Sequence, residues 1–337
     1  MLILILILFA TVLPVAVILT GLLRFAAQRT GLVDLPVARS AHGSPTPVGG
    51  GLAIVLTFLS VCLWAWSSGH MPLNEMLALG GGGAIALLGL IDDRWHLHIR
   101  WRLPVQFAAA AWAVVWVGDI APIRFMDWQL DNVWVLRILS LLALIWLLNL
   151  YNFMDGIDGL AGSEAVFIGA ALVFLLTRGG DPVLAILSIT LCAASFGFLV
   201  WNWPPARIFM GDVGSGFIGY VLGVMALLGM SHDSLSLWVW VLLSGVFITD
   251  ATVTLLRRFL RGEKWYEGHS SHAYQNAARC YGSHIKPTLA VILINIVWLA
   301  PLAWFAHRSP EYGAPLALLG ILPIGILVWR MGAGRPG

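Results

Sequence analysis

Long apolar stretches alternate with short polar connections along almost the whole chain. A helix needs about 20 apolar residues to cross a bilayer, and this window predicts eleven membrane-spanning helices. The predicted spans are 2–23, 49–68, 76–91, 103–118, 133–151, 163–177, 183–200, 213–230, 235–256, 287–306 and 314–330. The third and the sixth are short. The pattern predicts an all-α polytopic integral membrane protein of about 10–11 transmembrane helices, forming one transmembrane domain over 1–337.

Composition supports this fold class and excludes a water-soluble one. The 337 residues are 59% hydrophobic and only 11% charged, with a mean hydropathy of +0.87. The run 2–23 has no basic residue before it and no small-residue cleavage site after it, so we interpret it as a span and not as a cleaved signal peptide. The three cysteines lack the spacing of a disulfide or metal site. With a net charge of only +2, no nucleic-acid partner is expected.

Basic residues concentrate on one side of the predicted topology. The odd-numbered connections include 24–48, 92–102, 152–162, 201–212 and 257–286. Together with the C-terminal tail they hold 15 of the 19 Lys and Arg residues. The four basic residues on the other side are Arg124, Arg137, Arg178 and Arg308. Because positive charge near span ends marks the cytoplasmic side, these connections are predicted to be cytoplasmic, with the N-terminus outside and the C-terminus inside.

Five carboxylates lie at or just beyond span ends on this predicted cytoplasmic side, and glycines accompany most of them. They occur in the segments LLGLIDDRW, NFMDGIDGLAG and IFMGDVGSGF, as Asp92, Asp93, Asp155, Asp158 and Asp212. Carboxylates at an apolar boundary are costly unless they are paired, hydrated or bound to a cation. Such oxygen ligands suit Mg²⁺, which takes one or two carboxylates together with substrate phosphates. One acid alone is typical of a solvated helix end, but the whole set favours a site.

Glycines and basic residues near these acids indicate that an anion binds at the same face. IFMGDVGSG lacks the Gly-Lys-Ser/Thr ending of a phosphate loop, but Gly211 lets backbone approach a ligand, and a helix N-terminus near Val213 favours anions. Arg102 follows the acid pair, and His269 and His272 lie three residues apart in the longest polar loop. A cation site beside anion-binding groups at a membrane face suggests phosphate chemistry on a lipid substrate.

A second class of protein fits part of the pattern. A polytopic secondary transporter also has intramembrane carboxylates and broken helices. Transporter sites lie near the bilayer midplane, whereas these acids end spans on one face. Asp250, inside the ninth predicted span, is an intramembrane acid and is therefore a functional candidate; the family resemblance described below implies a supporting role near the cytoplasmic cleft. A non-catalytic scaffold would leave the magnesium-type ligands without an explanation.

Four motifs occur in the order, and at the membrane positions, of a known set. NLYNFMDGIDGL at 149–160 resembles N-x-x-N-x-x-D-G-x-D-G-L, and IDD at 91–93 is similar to an Asp-Asp motif. IFMGDVGSGFIG at 208–219 is similar to F-x-G-D-x-G-S, and RSAHGSPTPVGGG at 39–51 resembles a first cytoplasmic loop. Through these motifs the chain resembles the polyprenyl-phosphate N-acetylhexosamine-1-phosphate transferases from residue 1 to about residue 330.

The resemblance implies a reaction and the residues that perform it. A sugar 1-phosphate moves from a UDP-sugar to undecaprenyl phosphate, UMP leaves, and Mg²⁺ is required, with Mn²⁺ as a substitute. The implied metal ligands are Asp212 and Asn152. The residues assigned to substrate binding are Asn152, Asp155, Asp158, Phe209, Arg102 and Gly211. The residues assigned to catalysis are Asp92, Asp93, His269 and His272.

The family also implies finer roles for several of these residues. Asp92 and Asp93 match a pair near the lipid phosphate, where one acts as a base, and Asp158 matches a position near uracil. Phe209 matches an aromatic residue that stacks on the base, although its position alone is more typical of lipid contact or core packing. Arg102 matches a residue that contacts phosphate. Direct attack by the lipid phosphate is the mechanism we expect, and a two-step route through an aspartyl phosphate stays open.

Two departures from the family pattern narrow the expectation. Many members carry a His-x-His-His or His-His-His cluster where this chain has GHSSHAYQ. This resembles the O-antigen-initiating branch, which uses UDP-activated N-acetylated or deoxy sugars, and argues against a pentapeptide transferase. Val48 stands where the family often has a basic residue. The resemblance implies a multi-pass protein of the bacterial inner membrane, with membrane lipids around it and a cytoplasmic active site. A homodimer is one candidate assembly, and the sequence does not determine the oligomeric state.

Overall fold

A computed structural model describes residues 1–34, 45–177, 180–263 and 269–335. The regular structure of these ranges is almost entirely helical, which confirms the predicted all-α polytopic class. The α-helices are α1 (Leu2–Thr30), α2 (Leu52–Ser67), α3 (Leu73–Trp95), α4 (Ile99–Val117), α5 (Val133–Phe153), α6 (Leu160–Leu176), α7 (Pro182–Asn202), α8 (Asp212–Ser231), α9 (Leu237–Leu243), α10 (Gly245–Leu260), α11 (Ala273–Tyr281), α12 (Ile285–Ile294), α13 (Ala300–Arg308) and α14 (Gly313–Arg330).

Short non-α elements connect some of these helices. A π-helical turn, Asn295–Leu299, makes α12 and α13 continuous, and a 3₁₀ turn, Pro310–Tyr312, precedes α14. Two small antiparallel hairpins are present in the described ranges. They pair β1 (Val33–Asp34) with β2 (Thr46–Pro47), and β3 (Ile123–Phe125) with β4 (Trp128–Leu130).

Seven helical segments of the described chain are long and apolar enough to cross a membrane, and a bent pair brings the number to as many as eight. The seven are Leu2–Thr30, Leu73–Trp95, Val133–Phe153, Pro182–Asn202, Asp212–Ser231, Ile285–Arg308 and Pro310–Arg330. The bent pair consists of α9 and α10, which meet at 79°. This criterion of length and hydropathy counts fewer spans than the ten or eleven predicted from the sequence.

Three predicted spans account for the difference, although a helix lies at each of them. α2 and α6 contain 16 and 17 residues, about 24–26 Å at the rise of an α-helix, which is less than a hydrocarbon core of about 30 Å. α4 carries Arg100 and Arg102 in its first turns, which reduces its apolar character. The window over 49–68 also counted the glycines that precede α2.

α8 lies at the centre of the bundle. It is buried along its whole apolar length and packs against α3 and α5, whereas α1 exposes most of its surface. Glycines let the backbones approach closely, as is usual between membrane helices. A Cβ on Gly219 would lie 2.6 Å from the carbonyl oxygen of Leu147, and a Cβ on Gly89 would overlap the backbone of Asp212.

Six helix ends meet at one end of this bundle. They are the C-terminal ends of α3, α5 and α7 and the N-terminal ends of α4, α6 and α8. The segment before α8 is held by backbone hydrogen bonds to the chain around β2. The Phe209 N–H donates to the carbonyl oxygen of Pro47 at 2.8 Å, and the Gly50 N–H donates to that of Phe209 at 2.9 Å.

Some sequence predictions concern residues outside the described ranges. The motif at 39–51 is described only from residue 45 onward. Arg39, Arg178 and Lys264, which contributed to the predicted orientation, also lie outside them.

Candidate active site

The six helix ends surround a cavity of about 650 Å³. The residues that its wall shares with the sequence predictions are Asp92, Asp93, Arg102, Asn152, Asp155, Asp158, Phe209, Gly211, Asp212 and His269. The wall also contains residues that the sequence did not single out, namely Ser215, Gln275 and His284. His272 is not part of the wall. The fold therefore unites polar residues from three separate connections and from the loop before α11.

The Asp93 carboxylate holds the N-terminus of α8. Its Oδ1 accepts a hydrogen bond from the Asp212 N–H at 2.8 Å, and its Oδ2 accepts one from the Val213 N–H at 3.2 Å. Gly211, at φ 76°, adopts a left-handed conformation that favours glycine. A Cβ there would lie 2.5 Å from Asp93 Oδ2. Asp93 is thus engaged with backbone donors on both oxygens, as an acid at a helix N-terminus should be.

Asp92, one residue earlier on α3, faces different partners. The Arg102 guanidinium contacts Asp92 Oδ2 at 2.6 Å and Asp212 Oδ2 at 3.3 Å. Asp92 Oδ1 accepts a hydrogen bond from the Leu97 N–H at 2.5 Å. Arg102 therefore neutralises two carboxylates that come from α3 and α8, and it is the group that joins the two halves of the acidic wall.

Asn152, in the last turn of α5, lies beside Asp212. Its Nδ2 donates to Asp212 Oδ1 at 2.7 Å and to Ser215 Oγ at 3.0 Å. Ser215 stands three residues after Asp212, a spacing that puts both on one face of α8. It is the serine that ends the F-x-G-D-x-G-S motif, which was the signal that could have revealed it. The arrangement brings an amide, a hydroxyl and a carboxylate into one cluster. Each of these groups contains an oxygen atom that can serve as a metal ligand.

These residues suit a magnesium ion that the protein coordinates only in part. They do not form a site in which protein side chains alone enclose a metal. In the described part of the chain, no three His, Cys, Asp or Glu side chains converge to hold a metal. Mg²⁺ needs only one or two carboxylates when waters and substrate phosphates complete its shell. Asp212 and the adjacent Asn152 supply such a partial donor set at the cavity wall.

Asp155 is the acid in the least compensated environment. Its carboxylate makes no hydrogen bond with the described residues. Burial raises the pKa of Asp155 well above its ordinary value, and the negative charges of Asp212, Asp93 and Asp158 raise it further. A cation or a hydrogen-bond donor entering the cavity would relieve this repulsion, and Asp155 is therefore suited to bind a ligand.

Asp158 connects three parts of the structure through one oxygen. Its Oδ2 accepts a hydrogen bond from the Ala206 N–H at 3.0 Å and lies 3.2 Å from His284 Nδ1. The following residue, Gly159, has φ 77° and donates its N–H to Asn202 Oδ1 at 2.9 Å. His284 was missed by the sequence reasoning because it belongs to no recognised motif and its partner is 126 residues away.

The two predicted catalytic histidines occupy different environments. His269 lies in the cavity wall, where burial and the neighbouring His272 and Arg258 lower its pKa to about 3. It is therefore a neutral hydrogen-bonding group near pH 7. His272 is 2% exposed, stacks on His269 with ring centroids 4.9 Å apart, and lies 3.3 Å from Asp250 Oδ1.

Asp250 organises the N-terminus of α11 from within α10. It accepts hydrogen bonds from the Ala273 N–H at 2.9 Å and the Tyr274 N–H at 3.1 Å, in addition to its contact with His272. The Tyr274 hydroxyl in turn donates to the carbonyl oxygen of Phe153 at 2.8 Å. This network links α10 and α11 to the end of α5, and it agrees with the supporting role predicted for Asp250.

The fold and this site define a polytopic α-helical membrane protein with an acidic, arginine-bearing cavity at one end of its bundle. The profile described as glycosyl transferase family 4 matches residues 75–230. A probable undecaprenyl-phosphate N-acetylglucosaminyl 1-phosphate transferase of Bacillus subtilis (strain 168) is 30% identical over 296 residues, covering 86% of this chain and 82% of the relative.

Two further relatives extend the comparison. A decaprenyl-phosphate N-acetylglucosaminephosphotransferase of Mycobacterium tuberculosis (strain ATCC 25618 / H37Rv) is 30% identical over 344 residues, covering 91% of this chain and 84% of the relative. A phospho-N-acetylmuramoyl-pentapeptide-transferase of Synechococcus sp. (strain WH7803) is 30% identical over 302 residues, covering 83% and 80%. The chain belongs to glycosyl transferase family 4, within the polyprenyl-phosphate N-acetylhexosamine-1-phosphate transferase superfamily.

Proposed function

We propose that this protein transfers a HexNAc 1-phosphate, or a deoxy-HexNAc 1-phosphate, from a UDP-sugar to undecaprenyl phosphate. The observation that carries the proposal is the cavity, in which Asp212 and Asn152 adjoin Arg102 and the N-terminus of α8. Two anionic phosphates must meet during this reaction, and a site for them needs positive charge and backbone donors. The names of the relatives support a polyprenyl phosphate as the acceptor and an N-acetylglucosamine phosphate as the transferred group.

In the proposed reaction, an oxygen of the lipid phosphate attacks the β-phosphorus of the UDP-sugar. The bond between this phosphorus and the bridging oxygen breaks, and UMP leaves with that oxygen. Arg102 can turn its guanidinium from Asp92 and Asp212 toward a phosphate, since a bidentate guanidinium suits either anion. Mg²⁺ held by Asp212 and Asn152 would supply charge neutralisation at the diphosphate.

The contacts of the acid pair support direct attack by the lipid phosphate. Asp93 has both oxygens on backbone N–H groups, and Asp92 is bound to Arg102 and Leu97. A phosphate monoester with a second pKa near 6 is largely dianionic at neutral pH and needs little help from a base. A donor labelled at its β-phosphate tests this step, because a stable label on the protein in the absence of lipid acceptor would overturn it.

The biological setting forms part of the proposal. An undecaprenyl-diphosphate sugar made at the cytoplasmic face of a bacterial inner membrane would start a surface polysaccharide such as an O-antigen. The loop sequence GHSSHAYQ favours this branch, whereas the named relatives favour a GlcNAc donor. The experiment should therefore compare several UDP-sugars as donors.

The decisive experiment measures UMP release by the purified protein with undecaprenyl phosphate and Mg²⁺. UDP-GlcNAc is compared with UDP-N-acetylquinovosamine and UDP-N-acetylfucosamine. We expect one donor to give UMP and a lipid diphosphate sugar in equal amounts, with loss of activity in EDTA and recovery with Mg²⁺ or Mn²⁺. Absence of UMP release with all donors would contradict the proposal and favour the alternative class of protein, a secondary transporter.

A further inference from the structure

A polar stripe runs along the first half of the span that contains α12. His284, Thr288 and Asn295 are spaced by four and seven residues, which puts them within about 40° of one another at 100° per residue. Leu289 and Leu293 of the same helix are exposed, as expected of a surface that faces lipid. Polar groups in such a helix are costly unless they have partners, and this stripe has partners along its length.

The part of the stripe nearest the cavity, His284 and Thr288, contacts one cavity residue, Asp158. His284 Nδ1 lies 3.2 Å from Asp158 Oδ2 and 3.3 Å from the Asp158 nitrogen. The Thr288 hydroxyl donates to the carbonyl oxygen of Asp158 at 3.3 Å. Since the Ala206 N–H also binds Oδ2, the second carboxylate oxygen of Asp158 is the one left for a ligand.

The part of the stripe farther from the cavity, Asn295, fixes the position of α12 along α6. Asn295 begins the π-helical turn and donates from Nδ2 to Glu164 Oε2 at 2.5 Å, with both residues 1% exposed. Glu164 Oε1 and Asn295 Oδ1 have no hydrogen-bond partner among the described residues. A neutral carboxylic acid and an amide can exchange two hydrogen bonds, and such a pair would satisfy both atoms. Local π-helical turns often mark functional positions.

We propose that His284 is a positioning residue for the nucleotide of the donor, and that the stripe aligns it with Asp158. The inference rests on the proposed function, because it assumes that Asp158 contacts the uridine part of a UDP-sugar. Packing alone would not require a histidine in the cavity wall, since apolar residues can join α12 to α6. His284 instead accepts a hydrogen bond from the Asp158 N–H and lies beside Oδ2, so it fixes the backbone from which the other carboxylate oxygen projects.

The test compares three substitutions of His284. His284→Ala should raise the KM for the UDP-sugar by about tenfold or more while kcat stays within about twofold, because the hydrogen bond that His284 Nδ1 accepts from the Asp158 N–H is lost. His284→Asn should restore KM, since the asparagine amide occupies the place of Nδ1. His284→Gln places its amide near Nε2 instead and should behave like His284→Ala. His70→Ala, an exposed histidine at the opposite end that bonds to Ser68, is the matched control.

A binding measurement separates this inference from the proposed reaction. UDP should raise the melting temperature of the wild type and of His284→Asn, but raise it much less in His284→Gln. If this pattern appears without any UMP release, the positioning role stands and the transfer reaction fails. If turnover occurs and all three variants keep the wild-type KM and UDP response, or lose only kcat, the positioning role is wrong. Equal loss in His284→Asn and His284→Gln would also overturn it.

Discussion

The two ends of the helix bundle both contain carboxylates around a basic group, but their charges are balanced to different extents. At the cavity end, Arg102 is shared by Asp92 and Asp212, while the Asp155 carboxylate makes no hydrogen bond with the described residues. At the opposite end, His232 lies between two carboxylates. Its Nε2 is 3.1 Å from Glu75 Oε1, and its Nδ1 contacts Asp181.

This difference in charge balance distinguishes the candidate site at the cavity end from a structural contact at the opposite end. The His232 cluster joins the first turn of α3, the N-cap of α7 and the end of α8, and Asp181 also accepts hydrogen bonds from the Val183 and Leu184 N–H groups. Its groups are used in holding helices together. The cavity instead places several aspartates around Arg102, an arrangement that a bound cation would stabilise. Substitutions at the two ends should therefore change different properties.

The largest effect is expected from Asp212→Asn. Removing this charge should lower kcat/KM by about a thousandfold, because the residue stands where metal and diphosphate would meet. The measurement is UMP release over a range of Mg²⁺ concentrations. Asp233→Asn, a matched change of an exposed acid at the opposite end, should keep wild-type activity. Comparable activity in the two variants would contradict the assignment of Asp212.

Arg102→Ala should have the next largest effect. It leaves Asp92 and Asp212 without their shared cation and removes a donor to phosphate, so we expect kcat/KM to fall about a hundredfold. Arg102→Lys should recover only part, since an ammonium group cannot bind two carboxylates through a planar fork. Arg100→Ala, an exposed arginine of the same helix turn, is the control and should be active. A fully active Arg102→Ala variant would show that the guanidinium is only structural.

His232→Ala should change stability and leave activity per folded molecule unaltered. Burial lowers the pKa of His232, but Asp181 and Glu75 together raise it above its ordinary value. A raised folded-state pKa means that the imidazolium contribution is complete below about pH 6.5 and is lost as pH rises through the folded value.

Melting curves between acid and alkaline pH check this sign. The wild type should lose stability as pH rises above the ordinary histidine value, whereas His232→Ala should melt several degrees lower near pH 6 and lack that part of the pH dependence. Parallel curves for the two proteins would rule out a charged His232 at this end.

Asp155→Asn should have the smallest effect on stability, and in the opposite direction. Because the pKa of Asp155 is raised, its favourable contribution is present below the ordinary aspartate value and is lost as pH rises through the folded value. The neutral amide should therefore raise the melting temperature by a few degrees near pH 7 and by nothing in acid. Activity should fall, as is usual when strain in a site is relieved. Asp127→Asn, an exposed residue near β3, should leave melting unchanged.

The sequence predicted the helices well because apolar periodicity and length are local properties. The sequence window counts more spans than the length and hydropathy criterion does, because a composition window cannot see where α2 or α6 begins. It also could not separate Asp92 from Asp93. Adjacent residues of a helix point about 100° apart, so one meets Arg102 and the other meets the N-terminus of α8.

The remaining differences arise from long-range contacts. His269 and His272 look equivalent in the sequence, but the N-cap position at α11 turns His272 toward Asp250 and away from the cavity. His284 becomes part of the site only because α12 packs against α6. Neither fact has a local signal, since each depends on a partner that lies far away in the chain. The resemblance of the motifs identified the acidic residues. Only the packing of the helices shows which residues each of them contacts.

The central position of α8 has a consequence for how the protein is made. Its main neighbours, α3 and α5, are both synthesised before it, so the acidic wall stays incomplete until α8 has been made. The Asp93 carboxylate then receives the first N–H groups of the arriving helix. Docking of a single late segment thus assembles the acidic wall, and a nascent chain that stops before residue 212 would carry most of the acids but no binding site.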